Sequence, residues 1–134
     1  MSFPHDILES CIRLCQEDPR LQLAFLFGSV ARGEAGRESD LDLAVADADR
    51  IGWERKMELM ERFSLASGRP VDLVDLRTAT GPLLRAVLCR GTRLLCRDPL
   101  LLAELLRRLW YDAADFQPLV RHIRESRVLR WTTM

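Results

Sequence analysis

Apolar and polar positions follow two different periods along the chain. Residues 5–16 repeat apolar side chains at the spacing of an amphipathic helix, which we expect to end at Asp18-Pro19. A second helix is expected to close at Ser67-Gly68. Its buried stripe is predicted to consist of Trp53, Met57, Met60 and Phe63. A third helix has Pro82 in its first turn and is expected to stop at Gly91, since proline suits the start of a helix and glycine its end.

Four segments between these helices have the character of strands. They are Leu21–Phe27, Leu41–Ala46, Pro70–Leu76 and Thr92–Cys96. Because side chains alternate across a strand, Asp40 and Asp42 are predicted to share one face, whereas Asp72 and Asp75 are predicted to lie on opposite faces. The order of elements predicts an α/β (α+β) fold with a small mixed sheet of about four strands flanked by helices.

A helical extension is expected after this core, which spans about residues 5–97 of a single domain covering 1–134. Over residues 99–130 a heptad-like apolar seam runs through Leu102, Leu106, Leu109, Ala113, Phe116, Val120 and Ile123. Pro118 is expected to kink or split this helix. The seam favours packing against the chain's own core; the alternative is an interface with a partner or a second copy.

Composition narrows the class of protein. Hydrophobic residues make up 48% of the chain and charged residues 30%, as in soluble globular proteins, and Lys+Arg and Asp+Glu balance at 20 each. No apolar run is long enough for a membrane span, and the first residues lack a signal peptide's pattern, so we expect a cytoplasmic protein. The four cysteines are expected to be small buried thiols, because their spacing does not suit a zinc site.

The C-terminal part of the chain is basic. This could indicate contact with RNA, but a solvated surface is the favoured interpretation. Acidic residues are interspersed among its arginines, so direct nucleic-acid binding is not expected. The arginines concerned are Arg107, Arg108, Arg121, Arg124, Arg127 and Arg130.

The acidic strand is the most informative chemical feature. Asp40 and Asp42 are about 7 Å apart along an extended chain, and two adjacent carboxylates repel each other unless a cation such as Mg²⁺ neutralises them. By itself such a pair also fits the solvated face of an edge strand. The turn at Gly28-Ser29 can offer backbone N–H groups and a hydroxyl to a phosphate, and Asp72 is a plausible third acid on a further strand.

These residues resemble a known signature. Gly28-Ser29, ten residues, and then Asp40-Leu41-Asp42 look like the G-S-x10-D-x-D motif of the polymerase-β-like nucleotidyltransferases. Within that superfamily the chain is similar to the minimal nucleotidyltransferase (MNT) family, the antitoxin half of MNT–HEPN toxin–antitoxin pairs. Pro70–Leu76 is similar to the family's third-acid strand, and Leu84–Leu95 to its closing helix, glycine and strand. The resemblance covers about residues 5–97.

The resemblance implies a role for each matching position. Gly28 and Ser29 would hold the triphosphate of a nucleotide, and Asp40 and Asp42 would ligate two Mg²⁺ ions. Asp72 would hold the catalytic metal ion or accept the proton of the attacking hydroxyl.

Three further residues have competing interpretations. Asp75 is the rival for the third acid, although Asp72 matches the family's position. Arg32, the cation nearest the phosphate turn, could neutralise charge on the α-phosphate or on pyrophosphate, or could be a solvated loop residue. Ser39 could orient the start of the strand near the nucleotide or could have a structural role.

The implied activity is Mg²⁺-dependent transfer of AMP from ATP to a tyrosine hydroxyl of a partner HEPN ribonuclease toxin. One alternative is an antitoxin that neutralises its partner by binding alone. Another is a nucleotidyltransferase that modifies a small molecule such as an aminoglycoside, or an RNA 3′ end. The three acids favour an enzyme over a masking protein, and the small size disfavours a small-molecule substrate.

Overall fold

The computed structural model describes residues 3–28 and 40–112. The helices in these ranges are α1 (Phe3–Glu17), α2 (Trp53–Ser67), α3 (Gly81–Arg90) and α4 (Pro99–Asp112). The strands are β1 (Leu21–Phe27), β2 (Leu41–Asp47), β3 (Val71–Asp75) and β4 (Thr92–Cys96). The predicted elements in the described ranges are therefore confirmed, with β1 and β4 at their expected bounds. None of the helices there is long and apolar enough to cross a membrane.

The four strands form one mixed sheet in the order β3-β2-β1-β4. Strand β1 pairs antiparallel with both β2 and β4, whereas β2 and β3 run parallel. A parallel pair needs a crossover between its strands, and α2 supplies it. The predicted α/β fold with about four strands is thus confirmed, and the parallel pair places the starts of β2 and β3 at the same end of the sheet.

Helices cover both faces of the sheet. On one face, a first apolar cluster joins α1 and α2 to the sheet through buried residues such as Cys11, Phe63 and Leu43. On the other, a second cluster joins α3 and α4 to the sheet through residues such as Leu84 and Leu105. Burial of apolar area contributes about 25 cal/mol per Å², so these two clusters hold the three layers together.

The predicted stripe of α2 is partly wrong. Trp53 is 74% exposed and Met57 is 45% exposed, whereas Arg55, Leu59 and Phe63 are buried. The buried residues follow i, i+4 spacing on a face rotated from the predicted one. An apolar pattern did not reveal this face because it begins with a charged residue.

Arg55 is buried within an ion-pair network at the end of the sheet where β2 stops. Its guanidinium donates to Asp47 at 2.7 and 3.0 Å, to Asp18 at 3.0 Å and to Glu58 at 3.0 Å. Burial disfavours the charged form of Arg55, but the hydrogen bonds to Asp47 and Glu58 outweigh it and raise its pKa. This network links the turn after α1 to β2 and α2.

The C-terminal helix packs on the second cluster through a stripe that differs slightly from the predicted seam. Leu102, Leu105 and Leu109 are buried, whereas Leu106 is only partly buried. Residues three and four positions apart both lie on the same side of a helix. The buried face of α4 is therefore rotated by a fraction of a turn from the predicted seam. The rest of the seam and Pro118 lie outside the described residues.

One arginine of this helix is not part of a solvated surface. Arg108 is half-buried and donates to the carbonyl oxygens of Leu76, Arg77 and Ala79 at 3.0 to 3.1 Å. The expectation of a solvated side chain is wrong here, because these carbonyls follow β3 and need donors that the sheet does not supply. Arg121, Arg124, Arg127 and Arg130 lie outside the described residues.

The cysteines behave largely as the sequence predicts. Cys11, Cys15 and Cys89 are buried and Cys96 is half-buried, all as free thiols. Burial raises the pKa of both Cys11 and Cys15 to about 12, so these thiols stay protonated and unreactive near neutral pH.

Candidate active site

Two carboxylates meet on neighbouring strands at the end of the sheet where β2 and β3 begin. Asp42 is the register partner of Asp72 in the parallel pair. Register partners point to the same face, and neighbouring strands are about 4.8 Å apart, so the two side chains lie next to each other. Asp42 is half-buried and Asp72 is exposed. A cation from solvent can therefore reach both carboxylates.

Gly28 brings the backbone of β1 against this pair. Phe27 is the register partner of Asp42, and Gly28 follows with φ of +79°, in the left-handed region that glycine adopts without strain. A side-chain carbon built on Gly28 would overlap Oδ2 of Asp42 and would lie 3.1 Å from its Cγ. The absence of a side chain therefore lets the main chain approach the carboxylate.

The other two acids that the sequence singled out as candidates lie in different settings. Asp40 is exposed and immediately precedes β2, two residues before Asp42. Asp75 lies at the far end of β3, where it accepts hydrogen bonds from the backbone N–H groups of Arg77 at 3.0 Å and Ile51 at 3.4 Å. Asp75 thus stabilises the turn after β3, three residues away from the carboxylate pair.

The donor set of this site suits a hard cation. Mg²⁺ takes oxygen ligands and is often held by one or two carboxylates together with substrate phosphates. Asp42 and Asp72 can supply that carboxylate pair, and the backbone of Gly28 lies directly against the Asp42 carboxylate. Over residues 3–28 and 40–112, no three His, Cys, Asp or Glu side chains gather closely enough to hold a metal ion. Participation of Asp40 stays a prediction.

Three residues of the predicted nucleotide site cannot be placed. Ser29, Arg32 and Ser39 lie in the segment 29–39, which is outside the described residues. Their roles stay predictions. The contact between Gly28 and Asp42 was not predicted. The spacing of the motif indicated only a phosphate turn at Gly28 beside a metal-binding strand at Asp42, and the strand pairing is needed to bring the two into contact.

This geometry coincides with a match to a known family. Residues 9–100 match the model of polymerase beta nucleotidyltransferases, and the matched span contains the pair of carboxylates and the glycine. The chain belongs to the polymerase beta nucleotidyltransferase family. Its four-stranded mixed sheet flanked by helices is consistent with the fold of that family.

One curated relative of this chain is a protein adenylyltransferase. The chain is 40% identical over 84 residues to this relative, the protein adenylyltransferase MntA of Shewanella oneidensis. That match covers 62% of this chain and only 60% of the relative's own length. The resemblance to the minimal nucleotidyltransferases that the sequence suggested is confirmed.

Solved structures similar to this chain include toxin–antitoxin complexes. One is a toxin–antitoxin crystal structure with AMP-PNP, at 31% identity and a TM-score of 0.67, covering 87% of this chain and 98% of that one. Another is a tri-AMPylated HEPN toxin of Shewanella oneidensis in complex with an MNT antitoxin, at 28% identity and a TM-score of 0.63, covering 90% and 98%.

Proposed function

We propose that this nucleotidyltransferase is an antitoxin that transfers AMP from ATP to a tyrosine hydroxyl of a partner HEPN ribonuclease toxin and thereby inactivates it. The observation that carries the proposal is the in-register pair of Asp42 and Asp72 with Gly28 packed against it. The curated relative is a protein adenylyltransferase, and the similar complexes include AMP-PNP and an AMPylated HEPN toxin, which supports the same donor and acceptor for this chain.

The proposed roles of the residues are those that the family resemblance implies. Gly28 would present its backbone to the triphosphate, with Ser29 beside it, since an N–H group can approach phosphate closely only where no side chain intervenes. Asp40, Asp42 and Asp72 would hold Mg²⁺, which neutralises phosphate oxygens and orients the α-phosphorus when bound. Asp72 is the more exposed of the paired acids, and it would either hold the catalytic metal ion or accept the proton of the attacking hydroxyl.

The acceptor is a macromolecule in this proposal. Asp40 and Asp72 are both exposed, so the carboxylates open to the surface, where a protein side chain can reach them. Transfer requires positioning and neutralisation of charge rather than a covalent enzyme intermediate, so a single domain can catalyse it. We place both proteins in the cytoplasm, where ATP is available and free thiols persist.

The test is incubation of the chain with ATP, Mg²⁺ and the HEPN protein encoded next to it, followed by intact-mass measurement of both proteins. The expected result is a gain of one or more AMP units on the HEPN protein, which is lost with the Asp40→Ala, Asp42→Ala double variant. If no AMP is gained and the double variant still neutralises the toxin, neutralisation by binding alone is the better account. AMP transfer to an aminoglycoside or an RNA end in place of the HEPN protein would support the small-molecule or RNA alternative.

A further inference from the structure

The sequence contains one tyrosine, and the structure places it on the surface. Tyr111 lies in the last turn of α4 and is 78% exposed. The guanidinium of Arg107 lies one turn earlier, with its central carbon 5.9 Å from the centre of the tyrosine ring. The same guanidinium pairs with the exposed carboxylate of Glu104, so a phosphate added to Tyr111 would share this cation with Glu104.

A shallow groove lies next to Tyr111 on the surface of α4. It has a volume of about 340 Å³ and is lined by Leu106, Arg107, Trp110 and Tyr111. Small-molecule sites begin at roughly 300 Å³ and combine apolar or aromatic walls with a few polar groups. An indole can stack on a nucleobase, and such stacking contributes about 1–3 kcal/mol in nucleic-acid complexes. The groove therefore offers an aromatic wall for adenine and a cation for the phosphate.

From these features we infer that Tyr111 is itself an acceptor of AMP, transferred by the active site of a second copy of this chain. The inference rests on the proposed function, since it uses the same donor, site and type of acceptor. The Tyr111 Oη would attack the α-phosphorus of ATP. A phosphorus–oxygen bond to tyrosine forms, the bond to the bridging oxygen breaks, and pyrophosphate leaves with the bonding pair. The phenolic proton passes to a carboxylate of the second copy, such as Asp72, or to water.

The position of α4 requires transfer between copies. Arg108, one turn before Tyr111, is anchored to the carbonyl oxygen of Leu76 at 3.0 Å. Leu76 follows Asp72 by four residues, about 13 Å at roughly 3.3 Å per residue of extended chain. The helix also begins just after β4, whose last residue, Cys96, pairs with Leu23 at the end of β1 far from Gly28. Tyr111 is therefore held at the end of the sheet opposite the carboxylates of its own chain.

The experiment separates the acceptor from the active site by mixing two variants. One chain carries Tyr111→Phe and keeps its active site; the other carries Asp42→Asn and keeps Tyr111. Both are incubated with ATP and Mg²⁺, and a parallel reaction of the wild-type chain includes the HEPN partner. Peptide mass spectrometry is expected to find AMP on Tyr111 of the Asp42→Asn chain, at a rate that rises with the concentration of the other chain.

Two further variants test the groove. Arg107→Gln is expected to slow AMPylation of Tyr111 about tenfold, the scale of one lost hydrogen bond to a charged group, while transfer to the partner is unchanged. Arg85→Gln, which removes an exposed arginine from α3, is the matched control and should alter neither reaction.

The outcomes distinguish this inference from the proposed function. If the HEPN partner gains AMP while Tyr111 does not, the inference is wrong and the proposed function stands. Modification of Tyr111 in wild-type chains but not in the mixture would also overturn it, because transfer would then occur within one chain. If neither protein gains AMP, the proposed function fails and the inference fails with it.

Discussion

Asp42 and Asp72 are register partners on the parallel strands β2 and β3, although thirty positions of sequence separate them. The pairing holds two carboxylates side by side at the end of the sheet, with the backbone of Gly28 against one of them. Each part of this arrangement comes from a different strand. A change at any of the three positions can therefore alter the site while the fold persists.

Substitution of Gly28 is expected to impair transfer by displacing Asp42. An alanine there would adopt a left-handed φ at a cost of roughly 1–2 kcal/mol, and its side chain would overlap the carboxylate of Asp42. A displacement of about 1 Å can slow catalysis about 100-fold. We expect a loss of that size in the rate of AMP transfer, together with a lower melting temperature.

Gly68→Ala is the matched control for this substitution. Gly68 has φ of +71°, close to that of Gly28, but no atom lies within 4 Å of the position its side-chain carbon would occupy. The control should lower the melting temperature to a similar degree and leave the rate of transfer unchanged. Equal losses of transfer in the two variants would show that backbone strain, and not contact with Asp42, causes the defect.

Single asparagine substitutions should separate Asp72 from Asp75. Asp72→Asn removes an exposed carboxylate from the pair and is expected to slow transfer about 100-fold or more with little effect on stability. Asp75→Asn weakens the acceptor of two backbone hydrogen bonds and is expected to lower the free energy of unfolding by about 1 kcal/mol, with transfer retained. Rates of AMP incorporation and urea unfolding curves provide the measurement; the reverse pattern would make Asp75 the third acid.

Breaking the ion-pair network around Arg55 should be strongly destabilising. Arg55 and Asp47 are 7% and 1% exposed, and removal of one partner of a buried pair typically costs about 3–5 kcal/mol because the other charge stays buried. We expect Arg55→Ala to lower the free energy of unfolding by that amount. Arg107→Ala, which breaks an exposed pair with Glu104, is the control and should change stability little. Similar urea midpoints for the two variants would contradict the assignment.

The sequence predicted the described helices and strands, but not the partners of the buried charges. Strand alternation and turn residues are local signals, which is why the bounds of β1 and β4 were accurate. Arg55 bonds Asp18 across 37 positions, and no local pattern indicates such a pair. The stripe of α2 was assigned to Trp53, Met57, Met60 and Phe63, of which Trp53 and Met57 are exposed. The contact of Gly28 with Asp42 depends on strand pairing and was likewise not predicted.

Stability should decline at alkaline pH because of two buried thiols. The pKa of Cys11 and of Cys15 is raised from an ordinary 9.0 to about 12 by burial. Between those values the folded chain retains thiol protons that the unfolded chain releases, so the free energy of unfolding falls as pH rises from about 9 to about 12. Urea unfolding across this range should show a smaller slope for the Cys11→Ala, Cys15→Ala double variant. An unchanged slope would mean that these thiols titrate normally in the folded chain.

The most direct test of the carboxylate pair as a nucleotidyl-transfer site is to measure pyrophosphate release and AMP incorporation in one reaction. The wild-type chain with ATP, Mg²⁺ and the HEPN partner should yield the two products in equal amounts, with both AMP on the partner and any AMP on the chain itself counted. Both products should disappear with Asp42→Asn or on chelation of the metal ion. Inactivation of the partner without release of pyrophosphate would contradict the proposed mechanism.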